Sequence, residues 1–147
     1  MLAIVIGAGK LGYSIARLLA EAAYDVTLID KNESRLQNIE ERLDVNVLVG
    51  NGASVVVLEE AGIAEAKLMV VVTESDEVNM VACMLGKQAG VEQTIARVRN
   101  PEYLEEQNPG KTLFSGIDLI INPEMVTARE ISKLIEVPEA LDVVYFA

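Results

Sequence analysis

The chain has 147 residues, 51% hydrophobic and 24% charged, with one cysteine, no histidine and a formal charge of −11. That composition describes one globular domain with its own core and excludes a disordered, fibrous or disulfide-stapled chain. The lone Cys83 excludes a multi-cysteine metal site, the missing histidines exclude imidazole catalysis, and the acidity argues against nucleic acid or an anionic membrane as partner.

Short apolar runs recur along the chain, at Leu2 to Ile6, Val26 to Ile29, Val45 to Val49, Leu68 to Val72, Thr94 to Val98 and Leu119 to Ile121. They are rich in Val and Ile and mostly do not alternate with polar residues, the pattern of strands buried on both faces of a parallel sheet. Between the first two, Leu11, Ile15, Leu18, Leu19 and Ala22 share one face of a helix packed on that sheet. Leu36, Ile39 and Leu43, and later Val78, Val81, Ala82 and Leu85, repeat the pattern. Strand followed by helix, repeated, requires right-handed crossovers and predicts a Rossmann-like α/β fold, a doubly wound parallel sheet of six strands with helices on both faces.

The helix starts are marked by capping chemistry. Ser75 precedes Asp76 and Glu77, which favour the positive end of a helix dipole. Asn100-Pro101-Glu102 and Asn122-Pro123-Glu124 each place a cap before a proline at the first helical position. The second predicts a helix through about Glu136, ended by Pro138. Leu141 to Ala147 looks like the start of a strand that stops short. The expected organisation is therefore one domain over 1–136, with 137–147 opening a linker or strand toward a further C-terminal domain. No apolar run approaches a membrane span and Met1 to Val5 lacks a basic leader, so a cytoplasmic location is expected.

The sharpest motif is Gly7-Ala8-Gly9-Lys10-Leu11-Gly12, which follows the first strand and opens the first helix. Gly7 permits the tight turn, Gly9 admits a pyrophosphate close to the backbone, and Gly12 lets helix and strand pack closely. The first-turn amides and the helix dipole then hold the anion. Asp30 ends the second strand, where a carboxylate accepts hydrogen bonds from adenosine ribose hydroxyls and repels a 2′-phosphate, so NAD is expected over NADP. Lys10 is either a contact to a phosphate oxygen, including a terminal one of ATP, or a solvated first-turn lysine.

In a doubly wound sheet, ligands bind at the carboxyl ends of strands near the switch point. Thr73 and Glu74 follow the fourth strand there, and Arg97 interrupts the fifth, where burial demands a carboxylate or phosphate partner. Asn51-Gly52 either borders the adenine or is a plain turn. Cys83 reads as a small buried side chain and the five methionines as core, while Glu40-Glu41, Glu59-Glu60 and Glu105-Glu106 read as solvated helix faces.

Taken in order, Gly7 to Gly12, Asp30, Gly50-Asn51-Gly52-Ala53, Ala61-Gly62-Ile63, Val72 to Met80, Ile95 to Arg99 and Gly116 to Glu124 resemble a known family. The chain looks like the N-terminal nucleotide-binding (RCK or KTN) domain of TrkA-type regulatory subunits of potassium uptake systems. The resemblance implies that Gly7 to Leu11 hold a diphosphate, Asp30 the adenosine ribose, Thr73 and Glu74 the far half of the dinucleotide, and Arg97 a phosphate or ribose. Asn51 departs from the aspartate of many relatives, which puts an adenine-side contact there in doubt. The implied ligand is NAD(H), or ATP/ADP instead. The implied role is regulatory and not enzymatic: domains pair, partly through the helix opening at Pro123, and form a ring under a membrane potassium-translocating subunit. The competing reading is the cofactor-binding fragment of an NAD-dependent dehydrogenase.

Overall fold

The computed structural model of the chain describes residues 1–104 and 116–122. β1 (Leu2–Ile6) lies at its centre, and Ala3 to Ile6 are sealed from solvent on both faces. β2 (Asp25–Asp30) and β3 (Asn46–Val49) extend the sheet on one side of β1. β4 (Ala66–Val71), β5 (Gln93–Arg97) and β6 (Leu119–Ile121) extend it on the other. The resulting order is β3-β2-β1-β4-β5-β6 with every pairing parallel, as the apolar runs predict. Continuous Val and Ile runs suit such strands because neither face meets water.

Alternate side chains divide the interior into two cores. Ala3 and Val5 join Ile15, Ala16 and Leu19 of α1 (Lys10–Glu21) and Leu36 and Ile39 of α2 (Glu33–Glu40). Ile4 and Ile6 join Leu58 of α3 (Val55–Glu60) and Met80, Ala82 and Cys83 of α4 (Asp76–Gln88). Each large side chain taken fully from water contributes about 1.5–3 kcal/mol, so both layers are firmly held to the sheet. The helix starts follow the expected chemistry. Asn32, Ser54 and Ser75 cap α2, α3 and α4 by accepting from Arg35, Val57 and Val78. Asn100 accepts from the Glu102 amide at the start of α5 (Pro101–Leu104).

Several expectations need correction. Glu59-Glu60 lie on a helix as expected, but that helix begins at Val55, where the sequence pattern marks no element. Three consecutive valines have poor helix propensity, but the Ser54 cap and the burial of Leu58 decide the local structure. Ala22 is the exposed C-cap of α1 and lies outside its packed face, while Leu43 packs on the core from beyond the end of α2. Of the methionines, Met69 and Met80 are core, whereas Met1 and Met84 are exposed at 72% and 41%. Cys83 is fully buried, and Glu40-Glu41 and Glu59-Glu60 are exposed, as expected. The helix from Pro123 to Glu136, Met125, Glu105-Glu106 and the 137–147 segment lie outside the described residues.

Candidate functional site

The turn after β1 is built by two glycines for protein reasons and by a third with no such reason. Gly7 has φ +110, and a Cβ there would strike the carbonyl of Val72 at 2.8 Å. A Cβ on Gly12 would lie inside the Gly7 carbonyl, so α1 can reach this depth only without one. Gly9 has φ −76, and its Cβ would meet no protein atom within 4 Å. The space above Gly9 is thus open at the N-terminus of α1, beside Ala8 and Leu11. Gly9 offers no side-chain cap and the first turn of α1 holds no acid, so the amides of that turn have no side-chain acceptor. Open space at a helix start whose first-turn amides have no side-chain acceptor fits a diphosphate. Lys10 is exposed and forms no ion pair among the described residues.

Asp30 is tied into the same turn. Its Oδ2 accepts from the Ala8 amide at 2.7 Å and its Oδ1 from the Asn32 amide at 2.8 Å. The carboxylate therefore braces the glycine loop from the neighbouring strand while each oxygen keeps a lone pair for a further donor. The loop after β3 reaches the same edge: the Gly50 amide bonds the Asp30 carbonyl, and buried Gly52 lies against the Ile6 side chain. Asn51 forms an Asx turn, with Oδ1 accepting from the Ala53 amide at 2.9 Å, and its side chain is exposed.

On the far side of the β1/β4 junction, Thr73 and Arg97 come together across the ends of β4 and β5, around a residue whose role the sequence pattern does not mark. Asn79 is 0% exposed and its side chain makes four hydrogen bonds. Its Oδ1 accepts from the Thr73 amide at 3.0 Å and from Thr73 Oγ1 at 2.6 Å, and its Nδ2 donates to the carbonyls of Thr73 at 3.0 Å and Arg97 at 2.8 Å. Arg97 donates from Nη1 to the Thr73 carbonyl at 3.2 Å, and its buried Nε has no partner. No carboxylate pairs with Arg97 among the described residues, so of the two expected partners, carboxylate or phosphate, the protein supplies neither there. The orphaned N–H suits an anionic or hydroxylic acceptor.

Glu74 is exposed and lines an open cleft of about 570 Å³ with Ser75, Asp76, Glu77, Arg99 and Asn100. Asp76 organises its wall by accepting from the Arg99 amide at 3.0 Å and the Asn100 amide at 2.7 Å. A signal for Asn79 exists in the sequence, as a polar residue three before Ala82 and four before Cys83 on the buried side of α4. Cys83 Sγ faces the Ile95 carbonyl, and burial pushes its thiol far up, with Asp118 adding to the rise. Among the described residues, no His/Cys/Asp/Glu cluster suits a metal ion and no helix is long and apolar enough to cross a membrane.

A parallel sheet in this order, with a glycine turn at the switch between β1 and β4, defines a Rossmann-type domain. The TrkA-N domain family model matches residues 3–123, and the chain belongs to that family. The chain is 44% identical over 98% of its length to the Trk system potassium uptake protein TrkA of Haemophilus influenzae, of which it covers 32%. It is 36% identical over 98% of its length to a TrkA homolog of Methanothermobacter thermautotrophicus, of which it covers 64%. It thus spans about a third of the first of these proteins and under two thirds of the second. Among solved structures, the TrkA-N domain of the inner membrane protein ybaL from Escherichia coli superposes with a TM-score of 0.68 at 18% identity, over 97% of this chain and 96% of that one. The GsuK channel bound to NAD gives 0.65 at 18% identity over 80% of this chain and 20% of that one. The AMP-bound Kef C-terminal domain of Shewanella denitrificans gives 0.64 at 20% over 97% and 81%. At those identities the solved structures speak for the fold.

Proposed function

We propose that this domain is the nucleotide-sensing part of a potassium uptake regulator and performs no chemistry on its ligand. The observation that carries this reading is the open cradle above Gly9, braced by the Asp30 carboxylate through the Ala8 amide. The ligand is NAD(H), or ATP/ADP in its place, and names of relatives and neighbours support that range: a TrkA protein, a channel bound to NAD and a domain bound to AMP. Gly7 to Gly12 hold the diphosphate, with Lys10 beside it. Asp30 receives the ribose hydroxyls and disfavours a 2′-phosphate, and Asn51 borders the adenine side. Thr73, Glu74 and Arg97 take the far half of the ligand. Residues 1–136 form the sensing domain, and 137–147 lead toward a further domain.

Function then follows from linkage and not from catalysis. A ligand shifts an assembly only by binding one arrangement better than another. The domains pair and form a ring at the cytoplasmic face beneath a membrane potassium-translocating subunit, and nucleotide in the Gly7–Asp30 crevice changes the angle between paired domains. Calorimetric titration with NADH, NAD, ATP and ADP tests the reading, alongside Asp30→Ala. Binding that falls at least about tenfold in Asp30→Ala, with no redox turnover, supports it. Absence of binding to all four sinks it, and turnover of a nicotinamide substrate would favour a dehydrogenase fragment. Unchanged potassium flux through the intact system when Asp30→Ala abolishes binding would overturn the coupling.

A further inference from the structure

We infer that Asn79 is the positioning residue that makes the far half of this site, and so decides whether the domain distinguishes a dinucleotide or triphosphate from a bare mononucleotide. The inference rests on the nucleotide reading above and deepens it. Among the described residues, only the Asn79 side chain bonds both Thr73 and Arg97, the two residues that meet across the ends of β4 and β5. Its amide has one consistent orientation. Reversing it would set NH2 against the Thr73 N–H and oxygen against two carbonyls.

The bracket controls Arg97 twice. Nδ2 holds the Arg97 backbone through its carbonyl, and it also holds the Thr73 carbonyl that receives Arg97 Nη1. The guanidinium is thereby fixed at one nitrogen, with buried Nε left without a partner. A fully buried amide with all its capacity used for this purpose does nothing for the glycine turn, whose brace is Asp30. Damage at Asn79 therefore falls on contacts beyond the diphosphate and spares those at the Gly7–Asp30 end.

Asn79→Asp tests this with little change of shape. It keeps an acceptor for the Thr73 amide, loses the donors to both carbonyls, and gives Arg97 a carboxylate neighbour that competes for its positive charge. Titration of NAD, ATP and AMP into wild type and variant, with melting temperatures, provides the comparison. The expected result is a loss of about tenfold or more for whichever of NAD and ATP the wild type binds tighter, with AMP within about twofold. A fall for AMP equal to that for the longer ligand shows a merely structural role and overturns the inference, as does an unchanged affinity for both. If Asn79→Asp does not fold, Asn79→Ser, which removes the two donors without adding charge, carries the same expectation. Wild type that binds no nucleotide overturns the functional reading itself. Wild type that binds AMP as tightly as NAD and ATP instead overturns the far-half assignment, and this inference with it.

Discussion

Gly9 and Gly12 sit three residues apart in one motif, yet a methyl group would meet open space at the first and a backbone carbonyl at the second. The two substitutions should therefore separate binding from stability. Gly9→Ala is expected to lower Tm by only about 2–4 °C, the cost of about 0.5–1 kcal/mol for losing a glycine N-cap, while nucleotide affinity falls at least about tenfold. Gly12→Ala should cost about 3 kcal/mol or more in urea unfolding, because backbone cannot move aside as a side chain tip does. Equal stability of the two variants would refute the steric account. Cys83 gives a pH expectation of definite sign. Its thiol stays protonated when folded, while in the unfolded chain it ionises near pH 8.5. This contribution to stability is complete below that pH and lost as pH rises above it. Cys83→Ala should flatten the alkaline fall of Tm, and native Cys83 should react with a thiol reagent only as fast as the domain opens. At this scale the sequence shows which residues gather but not how. Asp30 is visible as an acid at a strand end, but its bond to the Ala8 amide depends on the packing of β2 beside β1.

Elements were legible wherever one periodicity dominated. Six apolar runs become six strands with ends within two residues, because Val and Ile are favoured in strands by the same burial that makes a parallel sheet. α3 shows in the sequence only through Glu59-Glu60, because its valines favour extended backbone while a cap and one buried leucine favour a helix. Ser54→Ala should cost about 0.5–1 kcal/mol, lower than for an ideal cap because the Ser54–Val57 bond is long at 3.4 Å. Chemical denaturation measures this directly, and no loss would mean that Leu58 alone holds the helix. Asn79 escaped for a related reason. Amphipathic periodicity is read from the apolar positions, so a polar residue among them registers as noise until its partners on β4 and β5 are known.

At the scale of the whole molecule, 23 acidic side chains against 12 basic ones set a repulsive surface field. Raising salt from about 10 mM to about 300 mM should raise Tm of the ligand-free domain as that field is screened, and a fall would show that attractive pairs dominate instead. Among the described residues the ion pairs are few: Arg17–Glu21 and Lys67–Glu92 are exposed, and Lys87–Asp118 is partly sheltered. The strand order has a further consequence, for the time course of folding. Within each half of the sheet, pairings join near neighbours in the chain, such as Leu2 with Asp25 and Leu68 with Gln93. The β1–β4 pairing joins Leu2 to Ala66, more than twice that span, and carries the largest loop-closure entropy in the sheet. The crevice lies on that seam. Two halves that have each zipped up but not yet met can offer the glycine turn or the Thr73–Arg97 bracket, never both. On the proposed nucleotide reading, a ligand that spans the seam recognises only the joined sheet and slows its parting.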